Sequence, residues 1–184
     1  MSKRVVVPLA EGVEEMEAVI IIDVLRRAGL EVLVAGLEGA GPVHASRGVT
    51  LHAELGLDEA LERPVDALVL PGGMGGMERL RADERLLDAV RSLLAEGRLV
   101  AAVCAAPLVL ARAGIAKGRR MTCHPSVRDE LLAAGAEGAE ARVVQDGTVL
   151  TSLGPGSSVE FALAVAAELA GPARALEVSA AMCV

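Results

Sequence analysis

The sequence predicts an α/β fold in which a mostly parallel sheet carries helices on both faces, and three observations lead there. Short apolar runs alternate with longer amphipathic stretches, as repeated β-α-β units require. The runs are almost free of charge, which suits strands buried on both sides. Glycine closes one helical stretch after another, at Gly29, Gly97 and Gly114, where a left-handed residue ends a helix at no steric cost.

In chain order, residues 4–10 form an apolar strand, 14–28 an amphipathic helix stopped by Gly29, and 30–37 a second strand, which together make a β-α-β opening. A glycine-rich segment at 38–41 leads to short strands at 43–45 and 49–54. A brief helix at 57–61 and a strand at 66–70 follow. Pro71-Gly72-Gly73-Met74-Gly75-Gly76 reads as a loop, and the next helix spans 83–96. Leu99 to Val103 is a buried strand that turns at Cys104 into a helix opened by Pro107, whose missing N–H costs nothing in a first turn. Beyond it lie a strand at 120–123 and a helix at 126–134. Strands at 142–145 and 148–152 flank Asp146-Gly147, a strong signal for a small β-hairpin, and a long helix covers 157–170.

The 184 residues fit a single domain, 1–184, that buries roughly 70% of its unfolded surface, and no linker or repeat divides it. Hydrophobic residues make up 53% of the chain, yet no run approaches the ~20 residues that span a bilayer, so a soluble, cytoplasmic protein with no membrane partner is expected. A net charge of −7 without a basic run, and almost no aromatics to stack bases, argues against nucleic-acid binding. Cys104, Cys123 and Cys183 show no C-x-x-C spacing, which argues against a disulfide framework and against a structural metal site.

Ligands in open α/β sheets collect at the carboxyl ends of strands, so the loops after Ala10, Leu70, Val103, Cys123 and Ser152 carry the candidate residues. Cys104 ends a strand and opens a helix, where unpaired N–H groups favour a thiolate and a lowered pKa; a buried small hydrophobe is the other reading. Glu17 shares a helical face with Val13, Ile20, Ile21, Val24 and Ala28, and a carboxyl on such a face is either a proton carrier with a raised pKa or an ordinary first-turn acid like Glu14 and Glu15. The Gly72-Gly73 turn offers unobstructed backbone N–H groups, with Ala105 N–H as a second donor for an oxyanion, or is only a tight turn. His124, just before Pro125, is either an acid/base near Cys104 or a structural histidine; His44 and His52 have weaker claims.

These segments resemble a known family. Leu9-Ala10-Glu11-Gly12-Val13-Glu14-Glu15-Met16-Glu17, Arg26-Arg27-Ala28-Gly29, Ser46-Arg47-Gly48, Leu70-Pro71-Gly72-Gly73, Ala102-Val103-Cys104-Ala105-Ala106-Pro107, His124-Pro125 and Thr151-Ser152-Leu153-Gly154-Pro155-Gly156 are together similar to the ThiJ/PfpI superfamily, in the branch that holds DJ-one and bacterial YajL. The resemblance runs nearly end to end. It implies a flavodoxin-like three-layer sandwich, a homodimer, a nucleophile elbow at Cys104, a protonated Glu17 beside it, and oxyanion donors from Gly73 and Ala105. Arg27 and Arg47 are interface or anion contacts in that picture. Protease-like members place a histidine after the nucleophile, where this chain has Ala105, and glutamine amidotransferases need a histidine downstream of His124, where there is none. Cys123 looks peculiar to this chain.

As function, the resemblance implies a cofactor-free cysteine enzyme acting on small dicarbonyls, with glutathione-independent conversion of methylglyoxal to lactate and deglycase-type activity. The alternative is an oxidative-stress sensor or chaperone that works through oxidation of Cys104.

Overall fold

The computed structural model describes residues 2–184. In order it contains β1 (Arg4–Leu9), α1 (Glu15–Arg27), β2 (Glu31–Gly36), β3 (Gly41–His44), β4 (Thr50–Ala53), β5 (Leu55–Gly56), α2 (Leu57–Leu61), β6 (Ala67–Leu70), α3 (Met74–Ala82) and α4 (Glu84–Ala95). There follow β7 (Leu99–Val103), α5 (Pro107–Arg112), β8 (Arg120–Met121), α6 (Arg128–Ala133), β9 (Glu137–Gly138), β10 (Val143–Asp146), β11 (Val149–Ser152), α7 (Ser158–Ala170) and α8 (Pro172–Ala181).

The main sheet has the order β10-β11-β7-β6-β1-β2-β5, parallel throughout except for the antiparallel edge strand β10. Successive side chains on a strand point to opposite faces, and the core divides accordingly. Val5, Val7, Leu9, Ala101 and Val103 pack with α1, α7 and α8 on one face. Val6, Leu68, Leu70, Val100 and Ala102 pack with α2 to α6 on the other. With no Tyr or Trp in the chain, Phe161 of α7 carries its one phenyl or indole ring and is fully buried. The sandwich and the hairpin at Asp146-Gly147 are as predicted, Gly147 supplying the left-handed φ of 60° that its turn requires.

Several elements depart from the expectation. Residues 74–82 form α3, not a loop, because Gly75 and Gly76 sit flush against Gly12 and Val13; a Cβ on Gly76 would stand 3.0 Å from Val13 Cα. Asp83 then separates α3 from α4, closing one helix with its backbone and capping the next through its carboxylate on the N–H groups of Arg85 (3.0 Å) and Leu86 (3.3 Å). The chain also ends in α8, started by Pro172, which no periodicity had suggested. Finally β3 and β4 pair with each other as a separate ribbon outside the main sheet.

β1 neighbours β2 on one side and β6 on the other, so the strand order switches between β1 and β6. Crossovers leave in opposite directions there and open a crevice at the carboxyl ends of the strands. The candidate site occupies that crevice.

Candidate active site

Cys104 follows β7 directly and adopts a left-handed φ of 63°, an uncommon conformation for a residue with a side chain and one that costs free energy. Its surroundings hold it there. Its N–H donates to Ser152 O at 2.9 Å and its carbonyl accepts from His124 N–H at 2.8 Å, while Ala105 and Ala106, both buried, leave room for the sharp turn.

Glu17 approaches from α1. Its helical face carries buried Val13, Ile21, Val24 and Ala28, and its own side chain is fully buried. Glu14, just outside the helix, accepts from Glu17 N–H at 2.8 Å and fixes the first turn. Glu17 Oε2 accepts from Gly72 N–H at 2.7 Å, whereas Oε1 is buried with no nitrogen or oxygen partner. Gly72 is needed for space: a Cβ there would stand 2.7 Å from both Cys104 Cβ and Glu17 Oε2. Gly73 carries a φ of 90°, and a Cβ on it would meet Gly12 O at 2.4 Å. The two glycines bring backbone N–H groups where side chains would block them.

The electrostatics follow from burial. Loss of water pushes the Glu17 carboxyl from its ordinary 4.5 up to about 7, against the pull of Gly72 N–H and Cys104. Burial first, then the charge of Glu17 and its hydrogen bond, push the Cys104 thiol up to about 12, while the N–H groups of Gly73 and Ala105 aimed at the sulfur pull it down. The expectation of an acidic thiol resting on a helix end is therefore corrected: α5 is only six residues long and starts three residues beyond the cysteine. Acidity here depends on burial first and on Glu17 second. The pair gives up one proton near 7 and the second only near 12, so over that interval it holds a single proton. With that proton on Glu17, the charge that raises the thiol is gone, and the sulfur keeps its two backbone donors.

Cys104, Ala105, Gly73, His124, Arg47 and Met74 line a cleft of about 610 Å³. Arg47 Nη1 bonds to Ser46 O, and Arg47 makes no ion pair among the described residues. Arg27, by contrast, is bound to Asp23 at 2.6 Å near the far end of α1 and does not reach the cleft. His44 pairs with Glu11 at 3.3 Å, and His52 is exposed on β4. Cys123 is buried against the opposite face of the sheet, with its thiol pushed up to about 11, and Cys183 is exposed at the end of the chain.

Two residues escaped the sequence reading. Glu15, read as an ordinary first-turn acid, is buried and accepts from Ser46 Oγ at 3.0 Å and Arg47 N–H at 2.9 Å, fastening the segment that carries Arg47. Ser126 bonds to His124. No periodicity marks either one. Among the described residues, no group of three or more His, Cys, Asp or Glu side chains is arranged to hold a metal ion, and no helix is long and apolar enough to cross a membrane.

The model of the DJ-1/PfpI family matches residues 3–168. The chain belongs to the DJ-1/PfpI family. It is 44% identical over 179 residues to protein dj-1beta of Drosophila melanogaster, covering 97% of this chain and 96% of that one. The crystal structure of that Drosophila protein superposes with a TM-score of 0.97 over 100% of this chain and 99% of that one, at 43% identity. Oxidized DJ-1 of Toxoplasma gondii superposes with a TM-score of 0.93 at 37% identity, covering 99% and 98% of the two chains. A deglycase of Pyrococcus abyssi is 35% identical over 153 residues, 83% of this chain and 91% of that one. Within the DJ-1/PfpI family this chain keeps Ala105 directly after its cysteine and has no histidine beyond His124.

Proposed function

We propose that this protein is a cofactor-independent cysteine enzyme that detoxifies small reactive dicarbonyls, converting methylglyoxal to lactate, with deglycase-type activity on the same adduct chemistry. The observation that carries the reading is the convergence of a buried Glu17 and the N–H groups of Gly73 and Ala105 on the Cys104 sulfur. The deglycase relative from Pyrococcus abyssi supports the same reaction class.

Cys104 thiolate attacks the aldehyde carbon of methylglyoxal and forms a C–S bond, and the aldehyde oxygen becomes an oxyanion held by the N–H groups of Gly73 and Ala105. Glu17 passes its own proton to that oxyanion as the C–S bond forms, then removes the proton from the same carbon to give an enediolate and returns it to the neighbouring carbon, leaving a lactoyl thioester on Cys104. Water then adds to the thioester carbonyl, lactate leaves, and the thiolate is regenerated. No external oxidant or reductant enters, because one carbon is oxidised as its neighbour is reduced. The raised affinity of Glu17 for its proton suits a group that must both release and accept a proton near neutral pH.

The oxidation-sensor reading rests on the same atoms, since a sulfinate on Cys104 would accept from Gly73 and Ala105 N–H and from a protonated Glu17. Glutathione-free methylglyoxal turnover by the reduced protein and by Cys104→Ser, followed across a peroxide titration with intact-mass detection, separates the two. The enzyme reading requires turnover that vanishes in Cys104→Ser and falls in proportion to the oxidised fraction. A catalytically idle reduced form, joined to an oxidised form that suppresses aggregation of a client protein, refutes it. We place this protein as a homodimer, with exposed Met16 and Val19 of α1 and nearby Val49 supplying apolar contact area and Arg27 and Arg47 at its edge.

A further inference from the structure

Two hydrogen bonds decide which nitrogen of His124 carries its proton. His124 is the N-cap of the 3-10 turn Pro125–Val127, and its Nδ1 accepts from the backbone N–H of Ser126 at 3.2 Å. A backbone N–H can only donate, so Nδ1 must present its lone pair. The Ser126 hydroxyl, 2.8 Å from the same nitrogen, then donates to it as well. The proton of the neutral ring is left on Nε2.

That edge of the ring faces the reacting atoms. Cδ2, the ring atom bonded to Nε2, and Cys104 Sγ both converge on Gly154, at 3.4 and 3.9 Å from the point where a Cβ on that residue would stand. His124 also lines the cleft with Cys104, and Nε2 has no hydrogen-bond partner among the described residues.

We infer that Ser126 is a positioning residue that locks His124 as the Nε2–H tautomer, so that His124 donates a hydrogen bond to the second carbonyl oxygen of the dicarbonyl and does not take the proton of Cys104. The donor role rests on the dicarbonyl reading; the lock does not. With Nε2 already protonated and Nδ1 engaged by Ser126, His124 has no free lone pair to offer a thiol. Glu17 is the titratable group that interacts with the sulfur and therefore moves the protons. The oxygen of the aldehyde belongs to Gly73 and Ala105, and the oxygen on the neighbouring carbon becomes negative only when the enediolate forms. A fixed N–H at that oxygen strengthens as the reaction proceeds, and no proton leaves His124 in the cycle.

Reduced protein labelled with 15N-histidine reads the tautomer directly, His124 being assigned by its absence from the His124→Gln spectrum. Nε2 protonated and Nδ1 bare is the expected result; a protonated Nδ1, or an even mixture of tautomers, overturns the lock. Ser126→Pro removes both the N–H and the hydroxyl, and should give a mixed tautomer with kcat lower by about tenfold while KM moves by less than about threefold. Should that variant fail to fold, the wild-type spectrum still judges the lock. For the donor role, His124→Gln puts an amide N–H near the place of Nε2–H and retains turnover within about tenfold of wild type, whereas His124→Ala loses roughly 100-fold. Equal losses in the two make His124 a proton acceptor and overturn the donor role. Absence of dicarbonyl turnover in the wild type sinks the functional reading and the donor role together, and leaves the lock to the spectrum.

Discussion

Glu17→Gln should alter the pH dependence of stability in a way that can be worked out by counting protons. In the unfolded chain Glu17 titrates at its ordinary 4.5 and Cys104 at 9.0, whereas in the folded protein the pair titrates near 7 and near 12. Below 4.5 both states carry both protons. Between 4.5 and about 7 the folded state holds one proton more than the unfolded state, so stability falls as pH rises. Between about 7 and 9.0 both states hold one, and the curve levels off whether the folded pair keeps its proton on oxygen or on sulfur. The fall corresponds to about 3 kcal/mol, because each tenfold in proton affinity is worth about 1.4 kcal/mol and the rise is from 4.5 to about 7. Glu17→Gln is neutral at every pH and keeps an acceptor for Gly72 N–H, so its stability should lack this decline. The gap between variant and wild type should open by about 3 kcal/mol from pH 4.5 to 8, or about 6–12 °C in Tm for a domain of this size. With no Trp or Tyr to report unfolding, circular dichroism during urea titration is the assay. Parallel curves for the two proteins across that range would refute the assignment of Glu17 as a carboxyl with a raised proton affinity.

Gly72→Ala should cost about 1–3 kcal/mol and most of the turnover, since the new methyl group overlaps Cys104 Cβ and Glu17 Oε2; calorimetry beside the methylglyoxal assay checks both. Glu14→Ala should lower stability by about 1 kcal/mol through loss of the cap on α1, measurable by urea denaturation with turnover scored in parallel. Glu15→Gln should speed hydrogen exchange at Arg47 N–H, whose acceptor loses its charge, while the strands keep their protection. Light scattering at micromolar concentration should give twice the chain mass, and the chain mass alone would rule out the dimer.

The sheet was legible because its strands are apolar on both faces and bounded by glycines, a pattern that little else in the chain competes with. Glu17 was legible for a related reason: a carboxyl amid Val13, Ile21 and Val24 violates the helical pattern, and such violations mark functional positions. α3 was hidden because Gly75 and Gly76 lower local helix propensity, and their value lies in tertiary contact with Gly12 and Val13. Glu15 was hidden because its partners, Ser46 and Arg47, sit on a distant loop that only the folded chain brings near. The thiol was misjudged for a different reason. Its proton affinity is set first by burial and then by a charge arriving from α1, and the helix that follows it is only six residues long.

The strained elbow at Cys104 is joined to Glu17 and Gly72 across parallel strands, and parallel strands cannot pair locally, because each pairing closes a long crossover. No fragment holding one or two of these segments contains the site. Folding should bring the thiol its neighbours late and all at once, after β1, β6 and β7 are in register. Until then Cys104 is an ordinary cysteine on a flexible chain. Alkylation kinetics during refolding would time the moment at which the thiol acquires these neighbours.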